Sequence, residues 1–135
     1  MTPRTARAPR PPPGGVVRKP RRHTPKLLWR LAFGVAVTVQ LAAVYGPPGP
    51  QGVEVGGLDK VVHLAIFFAP ALAALMIGIR ARWALGILAV HAPVSELIQH
   101  FGLSQRDGDV FDVLADLVGV SLGWLAFVVW NRRHP

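Results

Sequence analysis

Four apolar runs organise this chain: Leu27–Tyr45, Val61–Ile79, Trp83–Phe101 and Val110–Trp130. Each is about the length of an α-helix that crosses a bilayer core. Their polar residues are not scattered. Asp59, Lys60 and His63 stand at the start of the second run, Glu96 and Gln99 near the end of the third. Arg106, Asp109, Asp112 and Asp116 precede and enter the fourth. In an up-and-down arrangement all three groups arrive at one membrane face. The pattern predicts an all-α, four-helix transmembrane bundle over residues 27–131. An ionisable side chain in hydrocarbon costs roughly 2.5–3.5 kcal/mol at mid-helix, so such groups are expected to be kept together.

Composition changes the picture in one respect. The 135 residues are 51% hydrophobic with a net charge of +8, yet the charge is local. Residues 1–26 hold eight bases and no acid, while the remaining seven bases and seven acids cancel. This segment also carries Pro11, Pro12, Pro13, Gly14 and Gly15. It has little to bury and is expected to be disordered, in the cytoplasm and near anionic lipid. No aromatic residue is interleaved among its bases, so no nucleic-acid partner is expected. The absence of cysteine excludes disulfides, thiolate metal sites and a cysteine nucleophile.

Loop charges orient the bundle. The basic N-terminal segment, Arg80 and Arg82, and Arg132 and Arg133 fall on one side, which the positive-inside rule makes cytoplasmic. The loops around Glu54 and Asp107 fall outside. The expectation is an uncleaved first span with both termini inside, in the cell membrane. Trp29, Trp83 and Trp130 then lie at cytoplasmic ends, as interfacial Trp commonly does. The loop 46–58, rich in Pro and Gly, reads as a turn-rich cover above the outer face.

The polar residues follow helical spacing. Asp59 and His63 share a face, with Asp59 as a helix cap. Lys60 points about 100° away from Asp59. Glu96 and Gln99 are i, i+3 neighbours, with His91 and Ser95 on an adjoining stripe, and Pro93 is expected to kink the third helix. Asp109, Asp112, Asp116, Gly119 and Gly123 lie on one stripe, and the two glycines permit close helix packing. Asp116 stands too deep to remain an isolated carboxylate, and Arg106, His63 and Gln99 are its candidate partners. An interhelical hydrogen-bond network explains these residues as well as a binding site does.

The segments Asp59-Lys60-x-x-His63, Glu96-x-x-Gln99 and Arg106 with Asp112-x-x-x-Asp116-x-x-Gly119-x-x-x-Gly123 resemble the VanZ-like membrane proteins. The resemblance covers about residues 58–125. It differs at Asp116, where that family more usually carries Asn. It implies a small helical protein of the bacterial cytoplasmic membrane, and its namesake is linked to glycopeptide-antibiotic resistance. Two functions follow. In the first, a non-catalytic envelope protein binds or shields a cell-wall precursor or glycopeptide-related ligand. Asp59, Lys60, His63, Glu96, Gln99, Arg106, Asp109, Asp112 and Asp116 would line its pocket, with no resident metal or cofactor. In the second, an enzyme acts at the outer leaflet on a lipid-linked phosphate or glycan. Its carboxylates would hold Mg²⁺, Lys60 and Arg106 the phosphate, and His63 or Glu96 would be the base.

Overall fold

A computed structural model describes residues 26–47, 57–102 and 110–134. It is all-α, with helices α1 (Lys26–Tyr45), α2 (Leu58–Met76), α3 (Ala81–Gly102) and α4 (Val110–Arg133). The basic segment 1–25, most of the Pro/Gly loop (48–56), Arg106 and Asp109 lie outside the described residues.

Interhelical contacts give the topology. Lys60 at the start of α2 meets Asp112 at the start of α4, so these helices run parallel. His63 of α2 lies beside Glu96, late in α3, so α2 and α3 are antiparallel. Gln99 of α3 reaches Val44 at the end of α1. The starts of α2 and α4 and the ends of α1 and α3 therefore share one end of the bundle. Among the described residues α2 is central: it packs on α1, α3 and most extensively on α4, whereas no Cα of α1 comes within 8 Å of one in α4.

Helix α2 sits three residues earlier than the apolar run Val61–Ile79 suggests. Its start lies just after Gly57, which adopts φ 85°. Asp59 is in the first turn, where an acid suits the helix dipole, but it makes no capping hydrogen bond, contrary to the expected cap. Gly78 ends the helix at φ 93°. The Gly78 amide donates to the Leu75 carbonyl and the Ile79 amide to that of Ala74, each at 3.0 Å. That is a Schellman termination, which only glycine enters without strain. Helices α2 and α3 continue through Pro70 and Pro93.

The bundle is largely apolar outside, and its interior adds a set of buried polar residues to an apolar core around Phe67, Ala71 and Val120. Leu28, Val35, Val61, Ile87, Leu97 and Leu125 are exposed, whereas Gln40, His63, Ser95, Glu96, Gln99, Asp112 and Asp116 are buried. Two exposed hydroxyls, those of Thr38 and Ser121, donate to carbonyls four residues back, at 2.9 and 2.8 Å. A side chain with no water around it is satisfied in this way. Helices α1, α2 and α4 are long and apolar enough to cross a membrane, and the chain is a membrane protein. Helix α3, expected as a fourth span, falls short of that apolarity. It carries Arg82, His91, Ser95, Glu96, Gln99 and His100 among its 22 residues. Four of these point inward to some degree, while Ile87, Val90, Val94, Leu97 and Phe101 face out.

Gly119 and Gly123 are buried on the face of α4 that meets α2. A Cβ on Gly119 would collide with the Leu64 backbone carbonyl; one on Gly123 would come within 2.8 Å of Ala71 Cβ and 2.9 Å of the Phe68 carbonyl oxygen. Backbone cannot yield as a flexible side chain can. We predict that Gly119→Ala destabilises the bundle by about 1–3 kcal/mol, measured by denaturant unfolding in detergent. Gly86→Ala, whose added methyl meets nothing within 4 Å, is expected to be neutral or slightly stabilising, because alanine has the better helix propensity.

Candidate functional site

The close approach of α4 to α2 fixes the site. Because Gly119 lies against Leu64, the acids one and two turns earlier on the same stripe, Asp116 and Asp112, come to the first turns of α2. Lys60 Nζ donates to Asp112 Oδ1 at 3.1 Å. One turn deeper, His63 Nδ1 is bonded to Asp116 Oδ1 at 3.0 Å. Two rungs of oppositely natured groups thus join the parallel helices.

Helix α3 completes the cluster from the other side. Glu96 Oε1 lies 3.9 Å from the same His63 Nδ1. Toward the surface, Asp59 Oδ1 lies 3.9 Å from His63 Nε2. The imidazole therefore has a carboxylate on each edge, supplied by three helices. His63, Glu96, Asp112 and Asp116 are each 7% exposed or less, and Asp116 is fully buried. Asp59 is exposed and Lys60 half-buried, so polarity runs continuously from the helix end to the interior. Two trios present ligand-type atoms within 4.8 Å of one another: His63, Glu96 and Asp116, and Asp59, His63 and Asp112.

Of the partners expected for Asp116, His63 is found beside it, while Arg106 lies outside the described residues. Gln99 is buried at the same end but donates to the Val44 carbonyl of α1 at 3.2 Å. That carbonyl belongs to the last turn of α1, where intrahelical donors run out. Ser95 bonds within its own helix, to the Ala92 carbonyl at 2.8 Å. His91 lies deeper, bonded through Nε2 to the Tyr45 hydroxyl at 2.9 Å and stacked on Phe67. Tyr45, Val44 and Gln40 were not singled out by the polar pattern. The available signals were that Tyr45 is the chain's one tyrosine and Gln40 the one amide in the first apolar run. An apolar cavity of about 330 Å³ lies between α1, α2 and α3, lined in part by Phe33, Gln40, Pro70 and His91. None of the His63 cluster lines it.

No protein-family profile, curated protein or solved structure matches the chain. Function therefore rests on the residues themselves.

Asp112 is buried and Lys60 is its partner, so removing the ammonium leaves a buried charge. We predict that Lys60→Met destabilises the bundle by about 1–3 kcal/mol, as an uncompensated buried group does. The double variant Lys60→Met/Asp112→Asn should recover much of that loss, and unfolding of the four proteins of this cycle in detergent measures it.

Proposed function

We propose that this chain is a multi-pass protein of a bacterial cytoplasmic membrane with both termini inside and the His63 cluster toward the outer face. It binds or shields a ligand related to the cell wall or to glycopeptide antibiotics. The observation that carries this reading is the convergence of His63, Glu96, Asp112 and Asp116 from three helices at one end of an otherwise apolar bundle. Ionisable residues inside a membrane protein are a functional-site hypothesis by default. Exposed Asp59 and half-buried Lys60 lead from that cluster to the surface. The VanZ-like pattern of residues supports the same assignment, and the loop charges support the orientation. Helix α3 acts as the fourth span, crossing with its polar side turned inward and covered by its neighbours. The basic segment 1–25 would hold anionic lipid at the inner surface.

A second reading is favoured by the pairing of His63 with Asp116. An imidazole held by a carboxylate is the arrangement of a general base and its orienting group. With Lys60 and Arg106 to receive phosphate, the chain would then be an enzyme acting on a lipid-linked phosphate or glycan at the outer leaflet.

The lack of native cysteine makes single introduced thiols unambiguous reporters. Leu58→Cys should react with a membrane-impermeant maleimide on intact cells, while Arg80→Cys and His134→Cys should react only after permeabilisation. Labelling of position 58 only after permeabilisation would remove the outward-facing site. In the same cells, expression should change growth on a glycopeptide, and Asp112→Ala should abolish the change. Turnover of a prenyl-linked pyrophosphate, lost in Asp112→Asn, would decide for the enzyme.

A further inference from the structure

We propose that His63, Glu96 and Asp116 form a binding site for a divalent first-row transition-metal cation. The inference rests on the cluster being the ligand site and names the ligand. Three observations on that cluster point to a cation. The three side chains come from α2, α3 and α4, are all buried, and offer one nitrogen and two oxygens within 4.8 Å of one another. Asp116 is fully buried, and while its Oδ1 is bonded to His63, its Oδ2 has no hydrogen-bond partner among the described residues. A carboxylate oxygen held out of water without a donor is costly unless a cation or proton meets it. Finally, the far side of the imidazole, Nε2, faces the Asp59 carboxylate at 3.9 Å. A metal-ligating histidine characteristically donates its other N–H to a carboxylate; Asp59 lies beyond hydrogen-bond distance, on the side from which a shift of about 1 Å would bring it into that role.

The spacing suits a cation. The Nδ1–Oδ1 and Nδ1–Oε1 separations are 3.0 and 3.9 Å. Two ligands on a tetrahedral Zn²⁺ at the usual bond lengths stand about 3.3 Å apart, and the three ligand atoms, all within 4.8 Å of one another, reach that spacing by side-chain adjustments of up to about 1.5 Å. One neutral imidazole and two carboxylates balance a divalent cation, which removes net charge from a low-dielectric interior. The mixed donor set selects Zn²⁺, Mn²⁺ or Fe²⁺ over Ca²⁺ and Mg²⁺, which prefer all-oxygen shells. Three protein ligands leave a coordination position for an anionic or carbonyl group of a second ligand. The other trio, Asp59, His63 and Asp112, is less suited: the Lys60 ammonium already occupies Asp112 at 3.1 Å, and Asp59 is exposed.

The test is equilibrium dialysis of the purified full-length protein in detergent against Zn²⁺, with bound metal quantified by mass spectrometry and melting followed in parallel. One Zn²⁺ per chain and a rise in melting temperature on zinc addition are expected. His63→Asn and Glu96→Gln should each weaken binding on the order of 100-fold or more and abolish the zinc-dependent rise. Asp59→Asn should weaken it about 10–100-fold, the effect of removing a carboxylate behind a ligating histidine. Helical circular dichroism of the variants separates lost binding from lost folding. Absence of saturable Zn²⁺ or Mn²⁺ binding at millimolar metal would overturn the site. So would binding that survives unchanged in His63→Asn and Glu96→Gln, which would assign the metal to surface histidines. Zinc binding in a protein whose position 58 labels from inside supports the cation site and removes the orientation proposed above.

Discussion

The contact on which the rest depends is the pairing of α2 with α4. In a bilayer no water competes for polar side chains, so each must find its partner inside the bundle. Here the partners are parallel helices, and what allows them to meet is the absence of side chains at Gly119 and Gly123. The Gly119 backbone lies so close to the Leu64 carbonyl that even a methyl group has no place. Once the backbones are that near, Asp112 and Asp116 are within reach of Lys60 and His63, and the short charged and polar contacts follow without long side-chain excursions. The glycines and the acids are thus parts of one device, written on a single stripe of α4.

The third helix shows how such a device shapes its neighbours. Its inner face carries Ser95, Glu96 and Gln99, all buried, and its outer face carries Ile87, Leu97 and Phe101. Apolarity along α3 is correspondingly short of that of the other three helices, although its outward face between Arg82 and His100 is apolar at Ile87, Val90, Val94 and Leu97. A helix with a polar inward stripe is stable in hydrocarbon only while its neighbours cover that stripe. Gln99 on the Val44 carbonyl and His91 on the Tyr45 hydroxyl supply such cover from α1, at a level above and below the cluster respectively.

Much of this is legible in the sequence because helical spacing is a strong constraint. The 3 and 4 steps from Asp112 through Asp116 and Gly119 to Gly123 place all four residues on one face, and all four are buried there. Helix lengths could be read from apolar runs, and the union of three polar groups at one end from alternation of direction. What could not be read was pairing. Arg106, His63 and Gln99 were all candidate partners for Asp116; His63 meets it from α2, whereas Gln99 on α3 is turned to the Val44 carbonyl of α1. The start of α2 was also displaced, since the apolar run begins at Val61 whereas Asp59 and Lys60 are accommodated in its first turn. The Asp59 cap failed for a related reason: the helix starts before Asp59, leaving its carboxylate beside His63 rather than beneath the free amides.

The central claim is that His63 and Asp116 are energetically coupled inside the bundle, and a double-mutant cycle tests it most directly. His63→Ala, Asp116→Ala and the double variant would be unfolded reversibly in lipid bicelles beside the wild type. The account predicts non-additivity of about 1–2 kcal/mol, the upper range for polar pairs between membrane helices. Losses that add to within about 0.3 kcal/mol, the behaviour of independent sites, would contradict it.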